Sequence, residues 1–174
     1  MTARLAPVAI RLFGVVAVLV GGYFALSDPA RSAEARASVW VLQLLGSNRV
    51  HLLSDSSILV VDSSRSFFRV VVTPSCSALP AALAILCLGV LTARNRSGRR
   101  LRALVAAESV VVLGNLLRIS ASVAIGLAAG RGSLVLFHDW VGNIFTFAYV
   151  LGGYMIMLYL LLPDRRQLVT SAHV

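Results

Sequence analysis

Four apolar blocks, at residues 8–26, 78–93, 103–129 and 140–162, constrain this chain more than any other feature. The hydrocarbon core of a bilayer is about 30 Å thick and takes roughly 20 residues of helix to cross. Blocks of this length therefore predict membrane spans, the shortest of them with Pro80 near its start. Composition agrees. Hydrophobic residues make up 58% and charged residues 13%, whereas a soluble domain carries about 25% charge. The formal net charge is +9 and every cation is arginine. Those arginines punctuate the apolar blocks and form no basic face with polar or aromatic company, which excludes nucleic-acid binding as the source of the charge.

Between the blocks the signals change. The first span is expected to begin near Pro7, a favoured first helical residue. Its rival is a cleaved signal peptide ending near Ala35-Arg36-Ala37. Residues 29–46 predict an amphipathic helix that lays Val39, Trp40, Leu42, Leu44 and Leu45 on membrane or protein. Short β-branched or aromatic runs follow at 50–53, 58–61 and 67–72. The turn-forming cluster Asp62-Ser63-Ser64-Arg65-Ser66 separates the last two, which predicts a small β-hairpin. An open sheet edge finds no hydrogen-bond partners in lipid, so this hairpin belongs outside the bilayer. Residues 94–102 hold five arginines in a basic loop, and 130–139 are expected to form a second loop. The predicted fold is an all-α polytopic membrane protein, a single membrane domain over residues 1–174. It has about four transmembrane helices and a small extracytoplasmic segment, residues 27–75, with an amphipathic helix and a β-hairpin.

Four spans put both termini on one side. The N-terminal segment, the 94–102 loop and the C-terminal tail hold nine arginines, and the other side holds six. Arginine in short loops marks the cytoplasmic side. Both termini are therefore expected in the cytoplasm, with the 27–75 segment across a plasma (inner) membrane.

That topology gathers reactive side chains from distant parts of the sequence. Cys76 precedes the second span, where free N–H groups and the helix dipole favour a thiolate. His138 precedes the fourth, on the same side, and can serve as base and acid near neutral pH. Arg118 lies inside the third span, where a charge is costly and rarely lacks a role or a partner. Asn115 and Ser122 flank it at i−3 and i+4, so the polar stripe should face other helices. Glu108 lies about 15 Å along the same helix and is not a natural partner for Arg118. Cys87 lies about 16 Å along the helix from Cys76. That is too far for a disulfide, and Cys87 is read as packing. His51 and His173 lack comparable neighbours. There is no HExxH, no His/Asp cluster at ligand spacing, no phosphate-binding glycine loop and no GxSxG elbow. No metal or cofactor is expected.

The stretches Cys76-Ser77-Ala78-Leu79, Gly114-Asn115-Leu116-Leu117-Arg118-Ile119 and Phe137-His138-Asp139-Trp140-Val141-Gly142, in this order on successive spans, resemble the exosortase/archaeosortase family of membrane transpeptidase-like enzymes. The resemblance covers about residues 50–162. It implies Cys76 as nucleophile, Arg118 as electrostatic partner and His138 as general acid/base, with Asn115, Ser77 and Asp139 in support. It also implies the substrates: membrane-anchored secreted proteins with a C-terminal sorting signal made of a short motif, a transmembrane helix and a basic tail. Cleavage near the motif would release the protein or pass it to a surface acceptor. The chain departs from the family in Ser77-Ala78, where Ser-Gly is frequent, and in its length, since many members carry additional N-terminal spans.

Two other readings compete. In one the chain is a non-catalytic membrane subunit or assembly factor of a surface-protein or polysaccharide export system. Arg118 is then a helix contact and Cys76 is inert. In the other it is a thiol–disulfide enzyme, for which the sequence offers no CxxC.

Overall fold

The computed structural model describes residues 5–61, 67–92 and 97–162. Helix α1, Leu5–Leu44, is 40 residues long, or about 60 Å at 1.5 Å per residue. That is twice the thickness of a bilayer's hydrocarbon core, so a membrane-crossing α1 must stand out of it over half its length. The span expected at 8–26 and the amphipathic helix expected at 29–46 are thus one element. Pro29 lies inside the helix and does not end it. Proline removes one backbone hydrogen bond, and packing on the far side holds the helix together. There Ala35, Ser38, Val39 and Leu42 are buried, at the i, i+3, i+4, i+7 spacing of one helical face. Trp40, Leu44 and Leu45, expected on the same face, stay 62%, 66% and 78% exposed. The helix stops at Gly46, whose φ of 85° suits glycine. Gly46 N–H donates to Gln43 O at 3.0 Å and Ser47 N–H to Leu42 O at 3.0 Å, the paired bonds of a Schellman cap.

The chain then forms three strands, β1 (Val50–Ser54), β2 (Ser57–Val61) and β3 (Phe67–Val71). They make an antiparallel meander in the order β1-β2-β3. The expected hairpin is its second half, and the 50–53 run adds a third strand. The turn cluster at 62–66 lies outside the described residues. Val50, Ile58 and Val60 face Ala35, Val39 and Leu42 of α1 in one core, which Val72, Cys76, Ile119 and Val123 complete.

A short 3₁₀ turn, Pro74–Cys76, leads into α2, Leu79–Thr92. At 14 residues, or about 21 Å, α2 is shorter than the hydrocarbon core. Helix α3, Ser97–Leu136, also has 40 residues, and begins inside the segment expected as the basic loop. The loop expected at 130–139 is likewise mostly helical. Gly130 breaks the α3 geometry with φ 82° and ψ 174°, the helix resumes, and a π-helical turn, Phe137–Val141, joins it to α4, Gly142–Leu161. Among the described residues, two stretches are long and apolar enough to cross a membrane, Phe13–Leu44 and Gly98–Leu161, the second containing both α3 and α4. The structure is therefore mostly helical, with a small sheet, and fits a membrane protein without establishing four spans.

Small residues let α3 and α4 approach closely. A Cβ on Gly114 would lie 2.6 Å from Tyr149 Cβ, and one on Gly153 3.0 Å from Ala107 O. Ala103, Ala107, Val111, Tyr149, Met157 and Leu161 close a second core. The contacts order the helices antiparallel. Glu34 meets Ala78 and Val15 meets Cys87, while Arg118 meets Gly142 and Ala107 meets Gly153. The start of α2, the turn before α4 and the C-terminal part of α3 thus share the end of the bundle that carries the sheet.

Candidate functional site

Cys76 ends the 3₁₀ turn that Pro74 opens. Its N–H donates to Thr73 O at 2.9 Å, which fixes the direction of its side chain. Cys76 is 7% exposed. Its Sγ lies 3.0 Å from Thr73 Oγ1 and 3.1 Å from His138 Nε2. Thr73 Oγ1 in turn lies 2.9 Å from Ser75 Oγ. Burial pushes the thiol pKa up. The hydrogen bonds from His138 and Thr73 and the charge of His138 outweigh it and hold the pKa at about 7, below the ordinary 9.0. A thiolate is a far better nucleophile than a thiol, and here it forms near neutral pH. His138 is half-buried and sits in the π turn. An inserted residue of this kind rotates the following side chains relative to a regular helix, and such turns recur at functional sites.

Arg118 is 5% exposed and reaches across to the first residue of α4. A Cβ on Gly142 would lie 3.0 Å from its Nε. That Nε is buried without a hydrogen-bond partner. Arg118 does not line the cavity that holds Cys76 and His138, although its neighbours Ile119 and Ser122 do. It lies behind that cavity, against the segment that carries His138. Ser122 Oγ donates to Arg118 O at 2.8 Å.

The sequence-based expectations missed the residue that holds this region together. Glu34, in the C-terminal half of α1, accepts the Ala78 N–H at 2.7 Å and the Ser77 hydroxyl at 3.1 Å through Oε1. Ser77 Oγ also accepts Leu79 N–H at 3.2 Å. A carboxylate from another helix thus caps α2, where free N–H groups and the dipole favour negative charge. Its charge also attracts Arg118, and Oε2 is buried without a hydrogen-bond partner. The one sequence signal was a lone acidic residue on the helical face that carries Ser38. Thr73 was missed as well, its signal being a hydroxyl three residues before the cysteine.

Asn115 is fully buried and accepts the Tyr149 hydroxyl at 3.1 Å, tying α3 to α4 below Arg118. Asp139, expected in support, has an exposed side chain. Among the described residues its carboxylate has no hydrogen-bond or ion-pair partner, and its backbone carbonyl accepts from Asn143 Nδ2 at 2.6 Å. Cys87 is buried between α1 and α2, with Sγ 4.0 Å from Val15 O. His51 lies on β1, at the sheet edge opposite the strand that lines the Cys76 cavity. His173 lies outside the described residues.

Among the described residues, no three His, Cys, Asp or Glu side chains gather at metal-binding distance. What the site offers is a thiol and an imidazole in contact, beside a cavity of about 220 Å³, with a buried cation behind them. The family model described as transmembrane exosortase matches residues 1–169, essentially the whole chain. No curated protein sequence and no solved structure matches it.

Proposed function

This chain belongs to the transmembrane exosortase family, and we propose that it is a membrane-embedded cysteine transpeptidase or protease that cleaves the C-terminal sorting signals of secreted proteins. The observation that carries this is the 3.1 Å contact between Cys76 Sγ and His138 Nε2. A nucleophile and a base in mutual hydrogen-bond reach are the minimum apparatus of thiol acyl transfer.

In the proposed reaction the Cys76 thiolate attacks the scissile carbonyl carbon. The tetrahedral intermediate collapses to a thioester as the C–N bond breaks, and His138 gives its Nε2 proton to the leaving amine. His138 then takes a proton from the incoming amine or water, which attacks the thioester and restores the thiolate. Arg118 supplies positive charge as the oxyanion develops. Loss of one such stabilising group typically costs 10²–10³-fold in rate. The arginine distribution supports cytoplasmic termini and an extracytoplasmic site. The substrate's own membrane helix would present the scissile bond at a fixed depth, a positioning effect.

The test uses peptides built from a short polar segment, an apolar helix and an arginine-rich tail, incubated with the purified protein in lipid nanodiscs. Hydroxylamine is added to intercept a thioester. The expected product is a C-terminal hydroxamate, absent in Cys76→Ala and reduced at least a hundredfold in His138→Ala. Cleavage that survives Cys76→Ala would rule out the thioester route. No cleavage of any peptide, with an ordinary Cys76 reactivity that ignores His138, would favour a non-catalytic export subunit.

A further inference from the structure

The sheet leaves one edge unpaired beside the Cys76–His138 cavity, and the register says which atoms are free there. In an antiparallel ladder, alternate residue pairs exchange both of their hydrogen bonds. Val72 N–H donates to Ser56 O at 2.9 Å, which sets the phase. With Val70 opposite Ile58 and Phe68 opposite Val60, the backbone groups of Val70 and Phe68 bond to β2. Those of Arg69 and Val71 point the other way. The β1–β2 ladder agrees independently. Val61 N–H donates to Arg49 O at 2.9 Å, so Leu59 and Val61 bond to β1 and leave Ile58 and Val60 for β3. Among the described residues, no backbone group pairs with the outward amides and carbonyls of Arg69 and Val71.

Sheet edges of this kind are usually paired, covered or blunted. Here Arg69 and Val71 line the cavity that also holds Cys76 and His138. The Arg69 guanidinium is drawn back to Ser57 Oγ, with Nη2 at 2.7 Å and Nε at 3.0 Å. Much of the rest of the cavity wall is apolar, including Val70, Ile119 and Leu134. A peptide entering such a place must find partners for its own N–H and C=O groups, because burying them unpaired is costly. The β3 edge is the element that supplies them, and it does so without reading side chains.

We propose that the substrate's scissile segment docks as an extended fourth strand on β3, pairing its backbone with that of Arg69 and Val71 and so bringing the reacting carbonyl to Cys76. This rests on the acyl-transfer activity proposed above. It adds that the segment is held by strand addition, in which main-chain bonds give affinity and alternate side chains meet pockets.

The probes are a capped tri-alanyl vinyl sulfone, which the Cys76 thiolate attacks at the β-carbon while a proton adds at the α-carbon, and three variants, each N-methylated at one residue. Labelling of Cys76 is followed by intact mass in a Cys87→Ala background, with iodoacetamide as a reagent that has no peptide backbone. Alternation is expected: N-methylation at a position facing β3 slows labelling about tenfold, and at the next position changes it less than twofold. Val71→Pro removes an outward N–H and leaves the ladder to β2 intact, since proline is tolerated at edges. It should slow the vinyl sulfone about tenfold with little change in thermal stability, while Val70→Pro lowers the melting temperature. The N-methyl series stands even if a proline variant fails to fold. Equal effects at all three N-methyl positions, or none at any, would overturn strand docking. So would a vinyl sulfone rate indifferent to Val71→Pro combined with loss of a self-associated form, which would assign the edge to a second copy of the chain. Failure of the underlying activity is distinguishable, because it would appear as an iodoacetamide rate that ignores His138.

Discussion

Replacing His138 by alanine should raise the pH at which Cys76 becomes reactive. The Cys76 thiol is held at about 7, with burial pushing upward and the His138 hydrogen bond, the Thr73 hydrogen bond and the His138 charge pulling downward. His138→Ala removes two of the downward influences and leaves the upward one, so the thiol moves up, and a full return would bring it to the ordinary 9.0. At pH 7 the thiolate fraction then falls from about one half to about one hundredth, roughly fiftyfold. A more basic thiolate is intrinsically more nucleophilic, with a Brønsted coefficient of about 0.4–0.5, which restores roughly six- to tenfold. The net loss at pH 7 is therefore about five- to eightfold, and above about pH 8.3 the variant should react faster than the parent. The assay is the rate of mixed-disulfide formation with a membrane-impermeant methanethiosulfonate in the Cys87→Ala background, from pH 5.5 to 10. The sign is clear, since Cys76 is the acid and its reactivity rises with pH through its own midpoint. A parent midpoint already near 9, or a midpoint near 7 that His138→Ala leaves in place, would refute the proposed coupling.

Three further outcomes follow from the same geometry. Glu34→Ala strips the cap from Ala78 N–H and leaves Arg118 without its attracting charge. A lost cap costs about 0.5–2 kcal/mol. The melting temperature in nanodiscs should therefore fall well below that of Asp28→Ala, which serves as control. Gly130 occupies a φ/ψ region almost confined to glycine, so Gly130→Ala should destabilise by about 1–3 kcal/mol. It should also slow Cys76 labelling by displacing the segment that carries His138; unchanged stability would show that the break is not needed. Gly142→Ala places a methyl 3.0 Å from Arg118 Nε. It should reduce peptide cleavage more than tenfold while leaving the Cys76 pH midpoint near 7, and equal loss of both would mean that Arg118 and His138 move as one unit.

Much of this molecule is written locally. Apolar blocks state that lipid is the solvent, because burial of apolar area depends on composition and length alone. The strands announced themselves by β-branched runs, and Pro80 near the start of the second apolar block placed Cys76 just before a helix. The grouping of Cys76, Arg118 and His138 was legible because two helices, an even number, separate Cys76 from His138 and return the chain to the same end of the bundle. Other features were not local. Pro29 read as a helix start, yet burial of Ala35, Ser38, Val39 and Leu42 carries the helix through it, and packing energy outside the segment decides that. Residues 130–139 read as loop, yet they are mostly helical, because contacts with α4 and the Cys76 turn select a π turn over a coil. Glu34 belongs to the site only because α1 runs antiparallel to α2 and ends its approach at Ala78, a contact between residues 44 positions apart. The phase of the β3 edge was equally invisible, since a one-residue slip of register would turn Arg69 and Val71 inward. Sequence alone determined the solvent, the elements and the reactive residue types. Only the tertiary structure decided which atoms meet, because distance across a bundle is set by packing and register, which no single segment contains.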